Sequence, residues 1–184
     1  MYLYLNANPE DMNEAILSRL EAATDELTGL LSSLSETELN TRPFDGSWTA
    51  AQVGEHLLKS YGVGRILKAP VKKTERPSDQ KVEAIKEVFL NFDIKMESPE
   101  FITPSDGHID QATLLSSLSN VTSEIQATAE QLDLSETCTA FALPQMGEFT
   151  RLEWLHFMLY HTQRHNRQLK NICQKLTERA SSQG

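Results

Sequence analysis

The stretch Thr150–Leu176, TRLEWLHFMLYHTQRHNRQLKNICQKL, decides the fold. Thr150 followed three residues later by Glu153 is a capping box, in which each side chain takes an N–H that the first helical turn leaves unpaired. From there Trp154, Met158, His161, His165, Gln168, Leu169, Ile172 and Leu176 recur mostly at spacings of three and four. That period stacks them on one face of an α-helix. His161 and His165 therefore lie one turn apart on the face expected to point inward. An imidazole costs free energy to bury unless both ring nitrogens find partners, and a metal ion is one such partner.

The chain before this helix has the same character. Asn8 is placed to cap a first helix, with Pro9 at its first position and Glu10 and Asp11 at the positive end of its dipole. Met12, Ile16, Leu20, Ala23, Leu27, Leu30 and Leu34 form its apolar stripe. Ser35 and Glu38 make a second capping box for a short turn, and Pro43 lies in the break that follows. Thr49 and Gln52 make a third box, opening a helix on which Val53, His56, Leu57, Ser60, Tyr61 and Gly64 share a face. Gly62 and Gly64 weaken that helix and should end it.

Residues 67–80 read as an exposed connection. Ser78 is a candidate cap for a shorter helix whose buried positions are Val82, Ile85, Phe89 and Phe92. Residues 97–107, ESPEFITPSDG, form a loop of the length that often walls a site, though a plain surface connection fits equally. A further long helix is expected from Asp110 to Asp133, with Leu114, Leu118, Val121, Ile125 and Leu132 inward. The chain then reads as irregular from Ser135 to Gly147. Four long amphipathic helices without a convincing strand predict an all-α fold. It is a four-helix bundle with a long crossover connection carrying an extra short helix.

At 184 residues the chain is expected to form a single domain over 1–184. Its net charge of −9 argues against a nucleic-acid partner, because phosphate binding needs a basic face. No basic cluster exceeds Lys72-Lys73 and no apolar run reaches membrane-spanning length, so no membrane partner is expected either. The N-terminus lacks the basic and apolar regions of a secretory signal, which predicts a cytoplasmic protein with Cys138 and Cys173 reduced.

His56, on a separate inward stripe, completes a candidate three-nitrogen metal site with His161 and His165, since bundle cores build such sites from facing helices. His156 is off that face and reads as a surface or packing residue; His108 joins the site only if its loop folds over the bundle. Thr162 after His161 excludes the HExxH protease motif, and no paired Glu-x-x-His motif supports a di-iron centre. Three neutral imidazoles without an obvious fourth ligand leave open positions, as in catalytic zinc sites. Nickel suits the same donors. Gln168, Tyr61 and Glu55 are candidates to orient the ligands.

The segments RPFDGSWTAAQVGEHLLKS and EWLHFMLYHTQRHNRQL resemble the DinB-like (DinB/YfiT) superfamily of four-helix metalloproteins. Trp48, Thr49 and His56 match its Trp-Ser/Thr-x6-His pattern, and His161, His165, Arg167 and Gln168 match the His-x-x-x-His pattern of its last helix. The resemblance implies that these three histidines bind zinc, nickel or a similar ion. It also brings in a low-molecular-weight thiol as cofactor, because characterised relatives include thiol S-transferases using bacillithiol, a mycothiol-dependent maleylpyruvate isomerase and a domain of ergothioneine synthases.

Two functions follow as expectations. The first is a metal-dependent enzyme of thiol S-transferase or hydrolase type acting on a small-molecule substrate, with no residue assigned to catalysis beyond the ligands. The alternative is a non-catalytic bundle whose ion is structural. The apolar edges of long amphipathic helices also make a homodimer an expectation.

Overall fold

A computed structural model describes residues 9–181. The expected cap Asn8 and the side chain of Met12 lie outside what is described. Four long helices dominate: α1 (Pro9–Ser32), α3 (Ala50–Ser60), α6 (Gln111–Ala129) and α7 (Arg151–Ser181). Between them come the short α2 (Glu36–Leu39), α4 (Val63–Leu67) and α5 (Val82–Leu90). α1 lies against α6 and α7, and α3 lies against the same two, so the ring order is α1, α6, α3, α7. The consecutive helices α1 and α3 thus face each other across the bundle. This is the expected four-helix bundle, and its crossover carries α5, which packs along α7. No helix among the described residues is long and apolar enough to cross a membrane.

The stripes read from the sequence form one core. Ile16, Leu20, Ala23 and Leu27 of α1, Val53 and Leu57 of α3, Leu114, Leu118 and Ile125 of α6, and Leu169 and Ile172 of α7 are all buried. Gly54 lets the helices approach closely: a Cβ there would stand 2.9 Å from Leu114 Cδ2 and 3.0 Å from Leu31 Cδ1. Ser35–Glu38 and Thr49–Gln52 form the expected reciprocal capping boxes. Asp110 caps α6 by accepting from the N–H of Thr113.

Several expectations need correction. Residues 135–147 are not irregular: β2 (Thr137–Leu143) and β3 (Gly147–Thr150) form a hairpin, and β1 (Val71–Lys72) pairs antiparallel with β2. The turn between β2 and β3 is built on left-handed residues, Gln145 at φ 67° and Gly147 at φ 74°. Ser78 does not cap α5, because a turn separates it from Val82; Lys81 occupies the cap position without a side-chain bond, and the Ser78 carbonyl instead accepts from the Thr150 hydroxyl. Phe92 lies beyond the end of α5 and is exposed, with the Arg167 guanidinium 4.0 Å from its ring centre. α6 also stops at Ala129, earlier than expected, with Leu132 packed in the segment that follows.

The small sheet sets the start of α7. β3 ends on Thr150, whose N–H donates to Glu153 Oε2 at 2.9 Å while its hydroxyl accepts from the Glu153 N–H at 3.1 Å. Glu153 also takes both guanidinium arms of Arg76 at 2.6 Å and the N–H of Lys81 at 2.8 Å. The last helix is thereby locked to the crossover segment at its first turn.

Candidate metal centre

The capping boxes phase two helices so that three imidazoles meet. Nε2 of His161 lies 3.1 Å from Nε2 of His56 and 3.1 Å from Nε2 of His165. One ligand atom from each residue lies within 4.8 Å of the other two, and all three side chains are buried. Within the cluster there is no carboxylate or thiol.

The outer nitrogens fix the tautomers of two of them. Nδ1 of His56 donates to the carbonyl of Ile102 at 2.9 Å, and Nδ1 of His165 donates to Oε1 of Gln168 at 2.8 Å. Their Nε2 atoms therefore present lone pairs. His161 Nδ1 is buried without a partner. Burial depresses all three imidazoles below their usual pKa, His161 well below it and His165 to about 3. Lys59 adds to the effect at His56, and Arg164 at both of the others. Near neutral pH the three rings are uncharged.

This arrangement suits a cation better than it suits hydrogen bonds. A single N–H on His161 cannot satisfy two facing lone pairs well, and it leaves the other nitrogen of that ring buried and bare. Nitrogens bound at about 2.0–2.1 Å to one zinc ion stand roughly 3.0–3.4 Å apart, the spacing seen between neighbouring rings. Three neutral donors also leave the charge of a divalent ion to be met by an exogenous anion.

Of the expected orienting residues, Gln168 is in place. Tyr61 is not: its hydroxyl pairs with Thr162 Oγ1 at 2.8 Å within the core. Nor does Glu55 reach a ring; its carboxylate accepts from the N–H and hydroxyl of Ser105 at 2.6 and 2.8 Å. The residue that does orient His56, Ile102, acts through a backbone carbonyl, which leaves no trace in side-chain identity. Residues 97–107 form a wall of the site, held on α3 by Gln52 to the Ser105 carbonyl and by Lys59 to the Thr103 carbonyl. Arg164, also missed, donates to the carbonyls of Phe89, Asn91 and Ile94 and ties the chain leaving α5 to α7.

Aromatic rings line the inner side. The Trp48 ring centre is 5.1 Å from that of His56, and those of Phe89 and Phe157 are each 5.5 Å from that of His161. His108 is outside the site, exposed and 2.7 Å from Glu36. His156 packs beside Tyr160, with ring centres 5.7 Å apart.

Comparison with known proteins agrees with this layout. Residues 19–169, which include all three histidines, match the profile of the DinB superfamily. The chain is 28% identical over 151 residues to the uncharacterized protein YuaE of Bacillus subtilis (strain 168), covering 82% of this chain and 91% of that one. Two solved structures share the fold. YfiT from Bacillus subtilis, described as a probable metal-dependent hydrolase with an unusual four-helix bundle topology, superposes with a TM-score of 0.60 at 18% identity, over 96% of this chain and 94% of that one. TT2238, described as a four-helix bundle protein, superposes with a TM-score of 0.54 at 21% identity, over 86% of this chain and 98% of that one. With its bundle, its histidine-bearing helices and a profile match across most of its length, the chain belongs to the DinB superfamily.

Proposed function

We propose that this protein is a divalent-metal-dependent enzyme in which His56, His161 and His165 hold zinc or nickel and an open position receives a small nucleophile. The observation that carries this reading is the convergence of three neutral Nε2 atoms with no carboxylate among them. An ion there would supply Lewis acidity, lowering the pKa of water for hydrolysis or of a low-molecular-weight thiol for S-transfer. The chain's own part is to hold the ligands. Ile102 and Gln168 keep the proton of two rings on Nδ1, so that Nε2 is free to bind. Trp48, Phe89 and Phe157 keep the site apolar and limit the water that competes for charge. With no carboxylate among the ligands, the unmet charge of a divalent ion favours an anionic nucleophile.

The test is metal analysis of untagged protein, wild type against His161→Ala, followed by paired screens with esters and with thiols plus electrophiles. One equivalent of zinc or nickel in the wild type, lost in the variant, supports the reading. A wild type that neither retains nor takes up either metal sinks it. The burial of the three imidazoles favours a second reading, a non-catalytic metal site. A cobalt-loaded protein whose visible spectrum ignores added azide and thiols would select that reading instead.

A further inference from the structure

Among the described residues six large hydrophobic side chains are exposed, and four of them, Phe92, Ile94, Met96 and Phe101, fall within ten consecutive positions. Isolated exposed hydrophobics need no explanation, but a contiguous set does. This set is not on a loose segment. Arg164 holds its beginning to α7 through the carbonyls of Phe89, Asn91 and Ile94. Its end is held to α3 by the Ile102 carbonyl on His56, the Thr103 carbonyl on Lys59 and Ser105 on Glu55. The strap therefore spans the two helices that carry the imidazoles, with its apolar side chains between the anchors. One side of the Phe92 ring meets Arg167, yet that ring stays as exposed as Met96, and Ile94 and Phe101 are more exposed still. Phe101, at 71% exposure, directly precedes the residue whose carbonyl fixes His56.

We propose that this strap is the specificity wall of the three-histidine site and that the site takes a small molecule with an anionic head and an apolar body. The inference rests on the metal reading above. The head follows from charge: three uncharged ligands with no carboxylate among them leave the charge of a divalent ion to be met by what binds there. The body follows from position: Met96 and Phe101 stand in water between anchors on the two histidine-bearing helices, and Phe101 adjoins the residue whose carbonyl meets His56. A ligand bridging both would bury side chains that the chain itself leaves in water.

The experiment uses the full zinc-loaded protein and a series of straight-chain hydroxamates from two to eight carbons, with affinity measured by calorimetry and zinc content checked before and after. Each methylene buried should tighten binding about fourfold in the wild type. In the Met96→Ser/Phe101→Ser double variant, the shortest hydroxamate should bind as in the wild type while the gain with chain length shrinks or vanishes. Both altered side chains are exposed, so folding should be unaffected, and unchanged zinc content with unchanged thermal unfolding checks this. A flat series in the wild type, or the same gain in the variant, overturns the proposal while leaving the metal reading intact. Failure to take up zinc overturns both. If the gain persists in the variant but wild-type self-association in sedimentation disappears with it, the strap is a contact between copies and not a substrate wall.

Discussion

The carboxylate of Glu153 receives two guanidinium nitrogens of Arg76, each at 2.6 Å, in a place where Glu153 is wholly enclosed and Arg76 only about a quarter exposed (24%). The same carboxylate caps α7 and takes the N–H of Lys81. Removing one partner of such a buried pair strands the other, at a cost of about 3–5 kcal/mol. Arg76→Met is therefore expected to lower the urea midpoint markedly. Glu153→Ala should cost more, because it also removes the cap. If both variants unfold at the wild-type midpoint, the pair is not a determinant of the fold.

Gln168 is the side chain that orients His165, through a 2.8 Å bond to Nδ1. Replacing it with Leu keeps the volume and removes the acceptor. Partners of this kind change metal affinity by about 10- to 100-fold. We expect Gln168→Leu to weaken zinc binding by that factor in competition with a chromophoric chelator, with α7 intact by circular dichroism. His161→Ala should abolish tight binding outright.

His156 offers a pH dependence separate from the ligand cluster. Burial, with Arg19 nearby, pushes its imidazole down to about 4 in the folded chain, and its Nδ1 is buried without a partner. Unfolded, it titrates near 6.5, so between these values the unfolded chain binds more protons than the native one. Its contribution to stability is full above about pH 6.5, declines as pH falls towards 4, and changes no further below that. Each tenfold change in proton affinity corresponds to about 1.4 kcal/mol, so the window is worth on the order of 3 kcal/mol. Metal-free protein should lose thermal stability across this range, and His156→Phe should flatten that portion of the curve. An unchanged slope would count against the assignment.

At Gly54, α3 leaves no room for a side chain against Leu114 and Leu31. Gly54→Val places branched carbon against Leu114 and Leu31, where even a Cβ meets atoms at 2.9 and 3.0 Å. Overpacking of this kind costs about 1–3 kcal/mol. Because His56 lies two residues on, the same substitution should also weaken metal retention. A stability loss without any change in metal affinity would show that α3 shifts without carrying His56 with it.

What the sequence disclosed followed from periodicity. The stripe of α7 and the boxes at Thr49 and Thr150 locate three histidines to within a turn, because helix phase converts position into direction. The bundle was legible for the same reason. The hairpin was not, although TCTAFAL, followed by Pro144 and Gly147, carried a short-strand signal. Its edge pairing with Val71–Lys72 depends on residues far away in sequence, which no local window contains. Phe92 failed in the opposite way: the helical period was extended one step past the point where α5 ends. Ile102 and Arg164 escaped because both act through main-chain carbonyls, one by supplying its own and the other by gathering three.

The separation of 105 positions from His56 to His161 gives the centre a second role. An ion held by both would act as a cross-link closing more than half of the chain into a loop. Bridging about 100 residues removes disorder from the unfolded ensemble equivalent to roughly 4–5 kcal/mol in the chain-entropy treatment of covalent links. Saturation with a tightly held metal would therefore fasten the crossover, the small sheet and both of its flanking helices as a unit, and chelation would release them together.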